Sequence, residues 1–457
     1  MSDNQRHAIV LGGSIAGLTA ARALRDSFDR VTVFDRDTLP DGAAHRRGVP
    51  QAEHGHGLLA RGRAVLEELF PGLVDELAEL GAIPLDIQRD VVWIFGDRPA
   101  PRVASGLAGL SISRALLEAG LRRRVAALPG VTILDGHEAT GLTFDGARVT
   151  GATVRPVGGG EHEVRADLVV DATGRGNRGT TWLAALGFER PAEERIDAGT
   201  VYVSRDYRRG PGAADFPAIL NAPGGPARPY GGIALGVDGD RWMVTLLGVG
   251  PGQAPPTDPD GYLDFAAKLP DPRLHALLAS SEPLGDPVRL RLPASVRRRY
   301  ERLTRLPERL VSIGDALCSF NPAYGQGMTV AVAQAAALGR AAGAGLDGLP
   351  RRFYARAARI IDVPWDMSAG GDLAYPFVEG ARTRRGEVLN AYVARVQAAT
   401  GHDAAVARRF LEVTNLMRPP QSLLAPGMLA RVLRAQRRSK AQSATSTTSR
   451  ATATIAQ

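Results

Sequence analysis

The stretch HAIVLGGSIAGLTAARAL, residues 7–24, constrains the chain more than any other. An apolar run meets two adjacent glycines and passes at once into an alanine- and leucine-rich helical pattern. That order reads as a buried strand turning tightly into a helix, because Gly12 permits the turn and Gly17 lets helix and strand approach closely. The next apolar run, RVTVFD at 30–35, ends in an acid and completes a βαβ unit. Two chemistries use such a turn. One presents a nucleophilic serine, and Gly12-x-Ser14-x-Ala16 nearly matches its pattern. The other cradles a dinucleotide pyrophosphate on the helix start, with Ser14 where the middle glycine normally stands and Ile15, Ala16 and Gly17 in the first turn.

Position favours the second chemistry. A nucleophile turn belongs on a central strand preceded by several others, whereas Ser14 follows a single strand. Asp35 stands where an acid accepts hydrogen bonds from the adenosine ribose hydroxyls, and Arg36 after it is a further cofactor-binding candidate. A serine hydrolase with Ser14 as nucleophile stays open as the distant alternative.

Composition narrows the field further. The net charge of +8 comes almost wholly from arginine, since lysine occurs only at Lys268 and Lys440. The basic residues are scattered and have no interleaved aromatics, so no nucleic-acid partner is expected. A single cysteine, Cys318, excludes an intrachain disulfide framework and leaves too few thiolates for a structural zinc site. It reads as a small buried residue rather than a nucleophile. No signal-peptide pattern opens the chain and no long apolar run interrupts it, so a cytoplasmic protein without stable membrane insertion is expected.

Along the chain, a loop over 37–57 gives way to helical patterns, and SRALLEAGLRRRVAAL at 113–128 is amphipathic. From 131 to 170 the period changes to two, with the Asp145-Gly146 turn separating strands of a small meander. Alternating runs between 195 and 300 predict a separate sheet. Residues 350–438 are helical in pattern, and the final stretch has the composition of a disordered tail.

Two later segments bear on the first turn. DLVVDATGRGNR at 167–178 is a buried strand entering a glycine-rich turn with Asp171, Arg175 and Arg178, suited to bring backbone close to a cofactor, and Asp171 is a cofactor-binding candidate. RLVSIGDALCSFNPAYGQGM, 309–328, is a strand ending in Gly314-Asp315, then Asn321 and Pro322, then Gly325, Gln326, Gly327 and Met328 opening a helix.

Together these segments resemble the FAD-dependent monooxygenases of the p-hydroxybenzoate hydroxylase type. A closer resemblance, carried by RRGVPQAEHGHGLLARG at 46–62, DATGRGNRGTTWLAALG at 171–187, GDALCSFNPAYGQGM at 314–328 and VPWDMSAGGDL at 363–373, is to the flavin-dependent epoxidases of polyether antibiotic biosynthesis, the monensin and lasalocid types. The resemblance implies an α/β fold: a Rossmann-like FAD-binding domain of the glutathione-reductase type, formed by 1–190 and 300–345. It implies an inserted antiparallel-sheet substrate domain over 191–299, with 80–110 as a candidate addition. A helical C-terminal region over 346–438 and the tail 439–457 complete the expected organisation.

The same resemblance implies that NAD(P)H reduces FAD, that the reduced flavin adds O2 at C4a, and that the hydroperoxide passes one oxygen atom to an alkene or an activated ring. Asp315 would accept from a ribityl hydroxyl, and the peptide N–H groups of Gly325 to Met328 would face the flavin, with Asn321 and Pro322 beside the ring. Arg114 matches an arginine near the cofactor phosphates. Arg47 is a further cofactor candidate, and His54 and His56 are candidates for flavin or substrate contact rather than metal ligands. No residue is expected to be catalytic in its own right, because the cofactor carries the chemistry. Expected partners are a small apolar substrate, O2 and, as an open choice, a separate flavin reductase or a carrier protein. The function expected is epoxidation or hydroxylation of an apolar natural-product intermediate, a polyketide or terpenoid. The alternative is an FAD-dependent reductase or dehydrogenase that does not use O2.

Overall fold

A computed structural model describes residues 5–176, 178–292 and 294–438. The expected disorder of 439–457 lies outside the described residues. His7–Leu11 is buried along its whole length, as suits a parallel strand covered on both faces. It lies at the centre of a five-stranded sheet with the spatial order 310–312, 168–171, 7–11, 30–34, 131–134. All four pairings are parallel. Helix Ile15–Leu24 covers one face and packs against Gly327–Gly343. The meander expected between two parallel strands comprises His137–Phe144, Val149–Pro156 and His162–Arg165.

The second large sheet has six strands, in the order 283–291, 200–208, 241–249, 230–237, 218–221, 91–94. Its last strand comes from the 80–110 segment and joins in parallel through Val91–Ile94 beside Ala218–Asn221. Side-chain alternation gives the sheet two different faces. Val203, Val244, Leu246 and Trp242 face the short helices Pro259–Ala267 and Arg273–Ser280 and form a core of their own. Tyr202, Leu247 and Val249 face the other way, into the core shared with the parallel sheet.

The C-terminal region contains helices Leu349–Asp372, Arg384–Thr400 and Ala404–Thr414 and a further helix over 426–438. No helix among the described residues is long and apolar enough to cross a membrane.

Candidate functional site

The first turn is held by backbone. Gly12, at φ 112°, donates its N–H to the Phe34 carbonyl at 2.7 Å. A side chain on Gly12 would stand 2.4 Å from the Ala172 carbonyl oxygen, and one on Gly17 would stand 1.7 Å from that of Gly12. Both glycines are therefore required by the close approach of chain to chain. Gly314 is the third such point, because a Cβ there would meet Ala16 at 2.7 Å. The turn after the last parallel strand thus seats directly on the first helix.

Ser14 occupies the N-cap position of that helix but does not cap it. Its hydroxyl donates instead to Glu118 Oε2 at 2.6 Å and accepts from Arg114 Nη2 at 3.3 Å. The N–H groups of Ile15, Ala16 and Gly17 consequently point out of the helix start without an intrahelical acceptor. Helix Gly327–Gly343 is likewise uncapped, and the buried Gln326 Oε1 at its start has no hydrogen-bond partner. Side-chain caps are used elsewhere in the chain, by Ser113, Asp258, Thr383 and Asp403. Two open helix starts, on helices packed against each other, suit an anionic, hydrogen-bonding ligand.

Asp35 is buried, and its carboxylate accepts from Gly13 N–H at 2.6 Å, Asp37 N–H at 2.9 Å and Arg46 Nη1 at 3.1 Å. Three of its four lone-pair directions are used, and one on Oδ2 is left for a hydroxyl donor. Arg46 also reaches Asp37 at 2.8 Å and Glu118 at 2.7 Å. Burial works against its charge, yet Glu118 and Asp35 hold the guanidinium above its ordinary value. Arg36 and Arg47, expected as cofactor contacts, both lie exposed, and Arg46 is the loop arginine brought into the carboxylate cluster. Arg114 lies deep beside Ser14, and burial pushes its guanidinium below the usual range.

Asp171 is fully buried and is used up internally. It accepts from Thr173 N–H and Oγ1 at 3.0 and 2.7 Å and from Ser312 Oγ at 3.2 Å, so it ties the ends of two parallel strands together. Burial raises its carboxyl above the ordinary value. Arg178 turns away to Glu138 and the Ala139 carbonyl. Arg175 remains, with Nε 3.4 Å from Asp315 and Nη2 donating to the Phe320 carbonyl at 2.9 Å. Asp315 keeps a third of its side chain exposed.

A second polar group links the six-stranded sheet to the turn Pro322–Tyr324. Asn321 is buried, accepts from Tyr202 OH at 3.0 Å and donates to Asp372 at 3.1 Å. Tyr324 OH donates to the same carboxylate at 3.0 Å. Burial pushes Asp372 up to about 6, against the pull of its hydrogen bonds. His54 Nδ1 lies 2.7 Å from Ser204 Oγ, which lies 2.6 Å from Thr245 Oγ1, and the imidazole ring sits near Tyr202. Burial lowers His54 to about 4; burial together with Arg114 lowers His56 to about 3. Both are neutral at pH 7. Cys318 is buried beside this region and burial pushes its thiol well up.

The residues present fit FAD: an open helix start with Arg114 for a diphosphate, a buried acid with a free acceptor position for a ribose, and a second open helix start beside an apolar sheet. Comparison with known proteins agrees. The model of the FAD dependent oxidoreductase family matches residues 8–201. Protein Rv3254 of Mycobacterium tuberculosis is 38% identical over 384 residues, which cover 81% of this chain and 80% of that protein. The chain belongs to the FAD-dependent oxidoreductases.

Solved structures place this oxidoreductase in the same fold. A flavoprotein/dehydrogenase from Cytophaga hutchinsonii superposes with a TM-score of 0.66 at 15% identity, covering 96% of this chain and 99% of that one. The flavin-dependent brominase Bmp2 gives 0.61 at 16% identity, covering 90% and 100%. PqsL of Pseudomonas aeruginosa, a probable FAD-dependent monooxygenase, gives 0.59 at 16%, covering 81% and 98%. Sequence reasoning missed Arg46, Glu118 and Asp372. Only Asp372 carried a signal, an acid within an apolar helical stretch.

Proposed function

We propose that this oxidoreductase is a monooxygenase that epoxidises or hydroxylates an apolar natural-product intermediate, a polyketide or terpenoid, with electrons from NAD(P)H. One observation carries the reading: the sheet face turned toward Asn321–Met328 is mainly apolar, with Ile233, Leu235, Met243 and Leu247 on it, and its charges are confined to the mutually paired Asp206 and Arg241 beyond Met243. Tyr202, Ser204 and Thr245 are the hydroxyls of that face, and His54 rests on two of them.

Bound FAD supplies the redox and oxygen-transfer chemistry. The chain supplies position, dryness and electrostatics. Ile15–Gly17 and Arg114 would hold the diphosphate, Asp35 the adenosine ribose and Asp315 the ribityl chain. The N–H groups from Gly325 to Met328, with the dipole of helix Gly327–Gly343 behind them, favour negative charge at the ring. The helix-linked set of Asn321, Tyr324 and Asp372 fixes the turn that carries those groups. Neutral imidazoles at His54 and His56 keep the substrate side free of formal charge, which suits an apolar substrate.

The test is substrate-dependent oxygen consumption by the FAD-loaded protein with NADPH, over a panel of polyketide and terpenoid alkenes. A product that gains one oxygen atom is the expected result. Substrate turnover with no oxygen uptake would replace the reading with a reductase or dehydrogenase.

A further inference from the structure

Helix Gly327–Gly343 begins at the flavin side, but one of its flanks lines a separate cavity of about 370 Å³. Thr329, Val330, Ala333, Ala336 and Arg340 recur at helical spacing along that flank. Helices Ala60–Leu69 and Leu349–Asp372 supply two more walls, and the turn 416–419 closes the fourth. The volume is within the range of small-molecule sites, at roughly 300–1,000 Å³.

Two polar features interrupt the apolar walls. Thr329 is 1% exposed, lines the cavity, and its hydroxyl has no hydrogen-bond partner. Pro364, inside its helix, donates no N–H to the Ile360 carbonyl, and both residues line the same space. The Thr329 hydroxyl abuts Gly62 of helix Ala60–Leu69, so the polar groups of the walls are one packed hydroxyl and one carbonyl that residue 364 cannot serve, on an otherwise apolar surface of Val65, Val330 and Val363. The rim is cationic. Arg61, Arg340 and Arg356 are exposed and have no ion-pair partner among the described residues, Arg418 is paired with Glu412, and Glu68 is the single acid of the lining. Leu416, at φ 58°, is held in a backbone conformation unusual for a branched residue at the same rim.

We propose that this cavity is a second small-molecule site, which takes an apolar chain bearing one carboxylate. The chain lies on the valines and alanines, and the carboxylate meets the guanidinium forks of Arg340 and Arg356, whose planar geometry matches it. The site is distinct from the face of the six-stranded sheet.

Calorimetric titration of the full-length, FAD-loaded protein with dodecanoate below its micellar range tests the proposal. Dodecanoate is expected to bind at one site, and 1-dodecanol at least about tenfold more weakly, as the loss of one charge-assisted pair predicts. The surface variant R340Q/R356Q should lose about tenfold in affinity, and A333W, which fills the cavity, should lose more. No binding to the wild type overturns the proposal. Equal binding to A333W overturns it too, because the ligand then sits elsewhere, and equal binding of dodecanol removes the carboxylate from it. The readout needs no turnover, so failure here leaves the monooxygenase reading standing.

Discussion

The two ends of the candidate site solve opposite electrostatic problems. Around Asp35, three carboxylates converge on Arg46, and peptide N–H groups and the Ser14 hydroxyl take further positions on them. Around Asn321, histidines are held neutral and Asp372 is pushed toward its protonated form. Binding a polar cofactor needs fixed charges with defined geometry, whereas the proposed oxidation of an apolar substrate would need a dry chamber of low charge. Asp35 follows a strand of the parallel sheet, whereas Asn321 is tied through Tyr202 to the six-stranded sheet.

Breaking the first end should have the largest effect. A Gly17→Val side chain would collide with the Gly12 carbonyl, so FAD affinity should fall by more than about a hundredfold, read by flavin absorption after gel filtration. Retention of FAD by a folded Gly17→Val protein would contradict the role given to this turn. Next in size is Arg46→Ala, which leaves Asp35, Asp37 and Glu118 without their shared cation. It should cost about 3 kcal/mol in urea denaturation, since removal of one partner strands buried charge. An effect within about 0.5 kcal/mol would show that the cluster is solvated rather than ion-paired.

The second end is sharpened by pH. Asp372 binds its proton more tightly folded than unfolded, so its contribution to stability is present below about pH 4 and is lost as pH rises through about 6. The histidines act in the opposite sense. Their neutral folded forms contribute stability above about pH 6.5, which is lost as acid approaches pH 4 for His54 and pH 3 for His56. Asp372 therefore partly offsets the histidines on acidification. Asp372→Asn should remove that offset and make the loss of stability between pH 6 and 4 steeper, by roughly 1–3 kcal/mol. Parallel curves for the two proteins would show that Asp372 titrates normally. The smallest effect expected is that of Ser14→Ala, at about 1 kcal/mol in FAD affinity measured by fluorescence titration. Loss of all activity with FAD still bound would instead return Ser14 to a nucleophilic role.

What could be read from the sequence follows from the same contrast. Gly12, Gly17 and Gly314 declare themselves because backbone geometry at a close approach leaves one residue type, and the alternating runs announce strands by their period. Arg46 and Arg47 are neighbours in an irregular loop, with no period to say which points inward. Glu118 reaches Arg46 across 72 positions, and Asp372 reaches Asn321 across 51, so tertiary packing alone creates those pairs. The six-stranded sheet was legible as strands but not as two faces, because the covering helices are short and lie between two of its own strands in the chain.

The order of the parallel sheet also bears on how the protein comes into being. The central strand is made before the other four of its sheet, yet one of its flanks stays unpaired until Leu168–Asp171 has been made. The turn that seats on Ala16 arrives later still, with Gly314. Through most of translation the nascent chain thus carries an open, apolar edge, a state prone to wrong pairing. The meander between the third and fourth strands of that sheet, built from neighbouring segments, can form meanwhile on its own local contacts. Synthesis of this protein is therefore a wait for a late partner, and chaperone demand should be concentrated in that interval.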